Sequence, residues 1–418
     1  MATERLLFAH YLRGLACLSV LIGHICGVFW LSNATPLLAN TPVYSGPIPG
    51  IVFFLNSIPL FNYGSFGVAL FFLISGFVIP FSLQKYNSFQ FLVARFFRIV
   101  PTYVVGFSIT VLAILAASIY YGKHFLYSAS TVFLNAFLIR DLFWIPSIDA
   151  IAWTLEIELK FYLICAIVIL WIKKSQYTKI LLLCMVFCIG QILTLQFLPG
   201  IAIKIPWFPF INVLYIYQLD IPVITFMFIG TMVYFYYIKG IPSSKAVPAM
   251  IILISFFSFD WLFGIFREGA ISGLPNYFLA LIVFLMFFLF RDPKIFQSVG
   301  IWGIKKLPVC LHPDRSFFLN IISGKISSLI SGALDNWMKP ALSTLADISY
   351  PLYVVHGVTN YVIMRILLDL GVDPVLVIVI ALGDSLGIAY TLHRVIELPS
   401  NATGKRIASM LRKENISK

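Results

Sequence analysis

Long apolar stretches separated by short polar breaks run through most of the 418-residue chain. Cutting the chain at these breaks gives about ten candidate spans, several of them near the roughly 20 residues that a helix needs to cross about 30 Å of hydrocarbon. The predicted spans are 7–30, 65–83, 101–121, 152–173, 178–197, 221–238, 245–266, 275–290, 346–368 and 374–393. The pattern predicts an all-α membrane protein, a polytopic bundle of about ten transmembrane helices.

Composition and charge agree with this pattern. Hydrophobic residues make up 60% of the chain and charged residues 11%, which excludes a soluble globular enzyme. Lys and Arg are retained on the cytoplasmic side of membranes. With the amino terminus inside, the inner segments and span edges hold 22 basic residues and the outer loops hold 4, so both termini are predicted to be cytoplasmic. The same asymmetry accounts for much of the net charge of +12 without any nucleic-acid partner.

The chain is predicted to form one membrane domain, 1–418, with no appended soluble domain. Its longest polar interruption, 290–345, is predicted to be a cytoplasmic segment between the eighth and ninth spans, and 400–418 a basic cytoplasmic tail. The amino terminus lacks a small-residue cleavage site and is predicted to be a retained first helix. The six cysteines show no metal-ligand spacing, so packing roles and no metal site are expected.

Few ionisable side chains lie inside the predicted spans, and each is costly in hydrocarbon unless it faces a partner or water. The first span carries Arg13 and His24. Eleven residues place them on one helical face, about 16 Å apart along the axis. One elongated ligand can therefore meet both, although a snorkelling arginine and a packed histidine explain the pair equally.

The fourth span carries Glu156, Glu158 and Lys160. Counted along their helices, His24 and Glu158 both fall in the outer half of the bilayer. A carboxylate beside an imidazole fixes its tautomer, as a general base requires. We therefore expect Glu158 to orient His24. The structural alternatives are a buried ion pair between helices, or a pair of Glu158 with Lys160 or with a tyrosine.

Two further patterns bear on ligand binding. Arg95 and Arg98 follow the second span at i and i+3, on the same side of a helical turn. Guanidinium groups suit bidentate contact with phosphate, but a positive-inside stop or an anchor to lipid headgroups explains them as well. Within the second span, Ser75 and Gly76 form a small pair that lets a neighbouring helix or a ligand approach closely, with packing as the default.

Taken in order, these motifs resemble the acyltransferase-3 family of integral membrane acyltransferases. The matching motifs are Arg13-Gly14-Leu15-Ala16 with His24, the segment 71–77, Arg95-x-x-Arg98, the segment 153–162, the segment 348–356 and Glu397-Leu398-Pro399. Two departures are Thr154, where serine is usual, and Lys160, where a neutral residue is common. The resemblance covers about 5–400 and implies a stand-alone member without the carboxy-terminal esterase-like domain.

The resemblance implies an acyl-coenzyme A donor in the cytosol, with acetyl as the expected acyl group, and a carbohydrate or glycolipid acceptor such as lipopolysaccharide or another envelope polysaccharide. It implies the bacterial cytoplasmic membrane as the location and no metal; the oligomeric state stays open. The residues it implies are His24 and Glu158 for catalysis, Arg13, Arg95 and Arg98 for the donor, and Ser75, Trp153, Tyr353 and His356 for substrate or oxyanion contacts.

Two alternative functions remain at this point: a transporter or flippase, and a non-catalytic sensor or scaffold on the same fold, which would bind the donor without turnover. A multi-pass transporter or flippase for a lipid-linked sugar would also use many spans and a few buried titratable groups, although no repeat with broken helices is evident. Aromatic residues in the predicted outer loops, such as Phe143 and Trp144, suit either sugar stacking or an interfacial belt.

Overall fold

The computed structural model describes residues 6–204, 211–264, 270–289 and 339–414, and every regular element in these ranges is helical. In chain order the helices are α1 (Leu7–Leu31), α2 (Thr35–Ala39), α3 (Gly50–Leu55), α4 (Tyr63–Leu83), α5 (Ser88–Tyr120), α6 (Ala129–Ala136), α7 (Ala152–Ile167), α8 (Ile169–Lys173), α9 (Tyr177–Lys204), α10 (Ile211–Tyr237), α11 (Ser243–Phe263), α12 (Ala270–Leu289), α13 (Lys339–Asp347), α14 (Ser349–Val355), α15 (Val358–Asp369), α16 (Pro374–Leu392) and α17 (Leu398–Glu414).

The prediction of a polytopic helical membrane protein is confirmed. Among the described residues, 7 helices are long and apolar enough to cross a bilayer, or 8 if the bent pair α14–α15 forms one span. Each of the ten predicted spans coincides with a helix or a helix pair, but the part Gly273–Leu289 of α12 is shorter than a full span and α7 carries three charged side chains. Most of the predicted cytoplasmic segment 290–345 lies outside the described residues.

Helix α5 begins well before the predicted span at 101. Asn87 and Gln90 form a capping box in which Gln90 N donates to Asn87 Oδ1 (2.9 Å) and Asn87 N donates to Gln90 Oε1 (3.1 Å). This exchange satisfies two backbone donors that a helix start leaves free. Arg95 and Arg98 therefore lie within a helix rather than in a loop.

The centre of the bundle is α4, which packs most extensively against α1 and α10. The contact with α10 depends on two glycines. A Cβ atom at Gly76 would lie 1.8 Å from the carbonyl oxygen of Met227, and one at Gly230 would lie 2.3 Å from that of Leu73. Thr231 Oγ1 donates to the Gly76 carbonyl at 3.0 Å. Gly76 thus serves helix packing, as small residues do between membrane helices.

Substituting Gly76 by alanine is expected to destabilise the bundle by about 3 kcal/mol, because two backbones must separate to admit one methyl group. Thermal unfolding in detergent measures the effect. Gly383→Ala on α16 is the matched control, since a Cβ at Gly383 meets nothing within 4 Å and alanine favours a helix. Equal unfolding temperatures for the two variants would contradict the packing role.

Helix α7 starts in the interior of the bundle, where Ile151 and Ala152 are buried. Its N-terminal turn is capped by Asp149, which accepts from the backbone of Ile151 (3.2 Å) and Ala152 (3.1 Å). Tyr103, near the middle of α5, donates to the same carboxylate at 2.8 Å. At the other end, Ser88 Oγ donates to the Ala166 carbonyl at 2.7 Å. Helix α7 therefore runs alongside only the first half of α5.

The last helices lie against the same half of α5. Helix α16 continues through a π-turn (His393–Glu397) into α17, so the beginning of the predicted basic tail is helical. Ser400 Oγ donates to the Phe97 carbonyl, and Gly404 packs against the Phe97 side chain. The carboxy-terminal helix thus covers α5 near Arg95 and Arg98.

The pair α14–α15 is bent by 56° at His356 and Gly357. A break in a helix frees carbonyl groups that must find other donors. Here Asn360 Nδ2 donates to the His356 carbonyl at 2.9 Å and to Ser385 Oγ of α16 at 2.6 Å. The bend is therefore fixed by a buried amide, and it holds His356 at the point where the chain changes direction.

Candidate functional site

An open cavity lies among α1, α4, α5, α7 and α14, with about 750 Å³ of empty space when the part open to solvent is counted. Its polar and charged lining consists of Arg13, Ser75, Arg95, Arg98, Thr154, Glu158, Tyr162, Ser349, Tyr350 and Tyr353. Three guanidinium groups face one carboxylate, so the formal charge is positive. The structure thus brings together Arg13, Arg95 and Arg98, which are far apart in the sequence.

The three arginines differ in their partners. Arg95 donates to Ser82 Oγ, and its guanidinium lies 5.4 Å from the ring centroids of both Phe91 and Tyr162. Neither Arg13 nor Arg98 forms a hydrogen bond or an ion pair with any other residue in the described ranges. Partly buried guanidinium groups without partners favour the binding of an anion, because their N–H donors otherwise stay unsatisfied.

Glu158 belongs to this cavity and does not contact His24. Its Oε1 accepts from Ser75 Oγ at 2.7 Å and from Tyr162 Oη at 2.6 Å. The expectation that Glu158 orients His24 is therefore wrong. The alternative pair with Lys160 is not formed either, since Lys160 pairs with Asp141 and Asp220.

The reason is the depth at which α7 begins. Glu158 precedes Ala166 by eight residues, and Arg95 follows Ser88 by seven, so both lie about 10 to 12 Å from the level at which Ser88 contacts Ala166. Glu158 is therefore at the level of Arg95. His24 lies about 16 Å beyond Arg13 along α1. Counting from an assumed outer start placed Glu158 too far towards the outer face.

His24 has a different partner. Its Nδ1 lies 2.6 Å from Tyr361 Oη, and the two ring planes are nearly parallel, with centroids 6.2 Å apart. The ring of His356 meets His24 edge-on, with centroids 4.5 Å apart. The described residues give His24 Nε2 no hydrogen-bond partner. Tyr361 thus takes the orienting position that was expected of Glu158.

The contacts of His356 determine its tautomer. Its Nδ1 lies 2.7 Å from the Tyr353 carbonyl and 3.1 Å from the Leu352 carbonyl. Carbonyl oxygens only accept, so Nδ1 carries the hydrogen and Nε2 is an acceptor. Nε2 is buried and without a partner among the described residues. His356 in this form can accept a hydrogen bond but cannot donate one to an acyl oxygen.

The backbone of α1 is altered at His24, where a π-turn runs over His24–Val28. Such a turn shifts carbonyl groups out of register, and π-turns often occur at functional sites. Asn56 Nδ2 donates to the Cys26 carbonyl at 2.9 Å, and Trp30 Nε1 donates to the Ile25 carbonyl at 2.9 Å. Side chains on both sides therefore hold the histidine in place.

The two histidines lie beyond the cavity and do not line it. Tyr353 connects the two regions: it lines the cavity, and its ring centroid lies 5.4 Å from that of His356. Its hydroxyl shares a 2.6 Å hydrogen bond with Thr154 Oγ1. The hydrogen of Ser75 is already donated to Glu158, which leaves Ser75 no second O–H for an acyl oxygen.

Trp153 points elsewhere. It lies on α7 next to Thr154, yet it lines a second cavity and is 39% exposed. Sequence reasoning allowed a tyrosine partner for Glu158, which the contact with Tyr162 confirms, but it did not identify Tyr361. The only signal for Tyr361 was its place five residues after His356. Because the chain bends between them, the sequence does not show that both residues contact His24. Tyr162 follows Glu158 at i+4 and was detectable as a hydrogen-bond partner.

Comparisons with known proteins agree with the architecture. The family model described as an acyltransferase domain matches residues 6–394, which is most of the chain. Searches of curated proteins and of solved structures returned no match.

Proposed function

Because the chain belongs to the acyltransferase-3 family, and is therefore a membrane acyltransferase, we propose that it transfers an acyl group from acyl-coenzyme A to a hydroxyl of a carbohydrate. The supporting observation is the cavity with three guanidinium groups, two of them without partners among the described residues. Acetyl is the proposed acyl group. The proposed acceptor is a cell-surface or lipid-linked glycan, and the proposed location is the bacterial inner membrane.

The donor is placed by its charge and its length. Arg95 and Arg98 bind the phosphates of the coenzyme, and Arg13 steadies the donor where its arm enters the bundle. The arm runs along α1 for about 16 Å, the axial distance between Arg13 and His24. Its thioester then passes Tyr353 and reaches the two histidines.

The reaction is a direct transfer. A sugar hydroxyl oxygen attacks the thioester carbon, and His24 accepts the hydroxyl proton as general base. The C–S bond breaks as the C–O bond forms, and the departing thiolate takes the proton from His24. The products are the sugar ester and free coenzyme A. Tyr361 fixes the orientation of His24, and His356 Nε2 accepts from a second hydroxyl of the sugar.

Glu158 has a supporting role in this scheme. It holds Ser75 and Tyr162 and balances one of the guanidinium charges. Without it the cavity would contain three cations and no anion, which would open the site by repulsion. Glu158 is therefore a positioning residue for the donor site rather than a partner of the base.

The test is acyl transfer by the purified protein in lipid nanodiscs. Radiolabelled acetyl-coenzyme A is supplied with a bacterial envelope glycan extract, and label in the glycan fraction is measured together with release of the coenzyme thiol. We expect both to rise together and to require the extract. Thiol release without labelled glycan would contradict a carbohydrate acceptor, and movement of glycan across the bilayer without thiol release would indicate a flippase.

A further inference from the structure

A second cavity, of about 1010 Å³, lies on the other face of α7, between this helix, the segment 140–146 and α10. The residues that matter here are Arg140, Asp141, Trp144, Trp153, Glu156 and Asp220. None of them lines the arginine cavity, which is the cavity that contains Arg13, Arg95 and Arg98. Helix α7 thus separates two polar cavities, one on each side.

The charges around this second cavity form a connected group. Arg140 Nη2 donates to Glu156 Oε2 at 2.8 Å, and Lys160 pairs with both Asp141 and Asp220. Two cations face three carboxylates, so the formal charge is negative. The arginine cavity has the opposite sign, and an anionic ligand suited to that cavity would be repelled here.

One carboxylate oxygen in this group has no partner. Glu156 is 3% exposed, and its Oε1 forms no hydrogen bond within the described ranges. A buried acceptor without a donor is unfavourable, so it usually marks a place where a missing ligand or water belongs. The missing group is a hydrogen-bond donor, because a carboxylate only accepts.

Two tryptophans supply flat apolar surfaces at the same cavity. Trp144 is 51% exposed and Trp153 is 39% exposed. The ring of Trp144 lies 5.4 Å from that of Tyr215. An indole face carries partial negative charge and attracts the electropositive C–H groups on one face of a pyranose. Aromatic faces beside a hydroxyl-accepting carboxylate are the chemistry that recognises a sugar.

We propose that this second cavity is a subsite for the carbohydrate acceptor, and that the sugar it takes carries no carboxylate, phosphate or sulfate. That the bound sugar is an acceptor rests on the proposed function. The sugar stacks on Trp144 and Trp153 and donates one hydroxyl to Glu156 Oε1. The negative charge of Asp141 and Asp220 excludes acidic sugars.

The experiment measures binding by saturation-transfer NMR on the whole protein in nanodiscs. The probes are maltotriose, chitotriose and β-1,4-galactotriose as neutral sugars, and trigalacturonate as an acidic one. We expect at least one neutral trisaccharide to bind and trigalacturonate to give no signal. Trp144→Ala and Glu156→Gln are each expected to raise the dissociation constant about tenfold, as loss of a stacking surface or of a charge-assisted hydrogen bond would.

Trp171→Ala is the matched control, because Trp171 lies on α8 outside both cavities and contacts Lys179. It should leave binding unchanged. Thermal unfolding reports whether the Glu156 variant folds poorly. Because Trp144 is half exposed, its substitution should leave the fold intact, and it keeps the test valid in that case. No neutral signal, unchanged binding in Trp144→Ala, or equal binding of trigalacturonate would each overturn the proposal. Unchanged binding in Trp144→Ala would indicate that the tryptophans form an interfacial belt.

Acyl transfer onto envelope glycan is measured on the same preparations. Label transferred by a protein that binds none of the neutral trisaccharides would overturn the subsite and leave the proposed function standing. Trisaccharide binding that Trp144→Ala weakens, in a protein that never releases coenzyme thiol, would support the sugar subsite and count against the proposed reaction.

Discussion

Replacing His24 by alanine is expected to lower the rate of acyl transfer by at least about 100-fold, because a general base contributes about 10² to 10⁴ to such reactions. The donor should still bind, since Arg13, Arg95 and Arg98 are unchanged. The measurement is kcat for release of the coenzyme thiol with saturating glycan extract. Tyr361→Phe should give a smaller decrease, because the imidazole remains but loses the 2.6 Å hydrogen bond that orients it.

His10→Ala is the control on the same helix. His10 lies one turn from the start of α1, where its Nε2 contacts Ser343 Oγ at 3.0 Å, and it lines neither cavity. It should transfer acyl groups at the wild-type rate. A correctly folded His24→Ala protein with wild-type kcat would remove the base from the mechanism. A loss in Tyr361→Phe as large as that in His24→Ala would assign the proton transfer to the tyrosine.

Arg98→Ala is expected to raise the KM for acetyl-coenzyme A about tenfold or more, since a hydrogen bond to a charged group contributes about 1.5 to 3 kcal/mol. Arg98 has no protein partner within the described ranges, so its loss should leave the fold intact. The KM for the glycan should not change, because the acceptor meets other residues. Steady-state kinetics with each substrate varied in turn separate the two constants.

S-acetylpantetheine, which has the thioester arm but no nucleotide or phosphate groups of the coenzyme, provides the sharper comparison. Wild-type protein and Arg98→Ala should use this donor equally well. Arg394→Ala is the matched variant. Arg394 is exposed in the π-turn between α16 and α17, and it stacks on Tyr390 instead of lining the cavity. If Arg394→Ala raises the donor KM as much as Arg98→Ala does, the effect comes from overall surface charge.

The helices were largely predictable from the sequence, but not every start was. The predicted span 65–83 and helix α4 (Tyr63–Leu83) nearly coincide because an unbroken apolar run ends in polar residues on both sides. Helix α5 starts 13 residues before its predicted span, since Asn87 and Gln90 cap a polar first turn that hydropathy reads as a loop. Apolarity reports which segments cross the membrane, whereas capping side chains decide where each helix begins.

The arginines proposed to bind the donor were easier to predict from the sequence than the residue that orients the proposed base. Arg13, Arg95 and Arg98 stand out because charge is rare in apolar spans, and the structure places them around one cavity. The partner of His24 was misassigned, since depth was counted from a surface that α7 never reaches. Buried Asp149 lets that helix start beside Tyr103 in the interior, and a helix–loop contact of this kind leaves no periodic signal.

The arginine cavity has a consequence for turnover. If Arg95 and Arg98 hold the phosphates and Arg13 holds the start of the arm, as proposed, all three bind parts of the coenzyme that the reaction leaves unaltered. Free coenzyme A therefore keeps nearly all of its contacts with the protein after the acyl group has been transferred. Product escape, rather than bond making, becomes the slow event of each cycle, and the cellular ratio of free to acylated coenzyme sets the throughput.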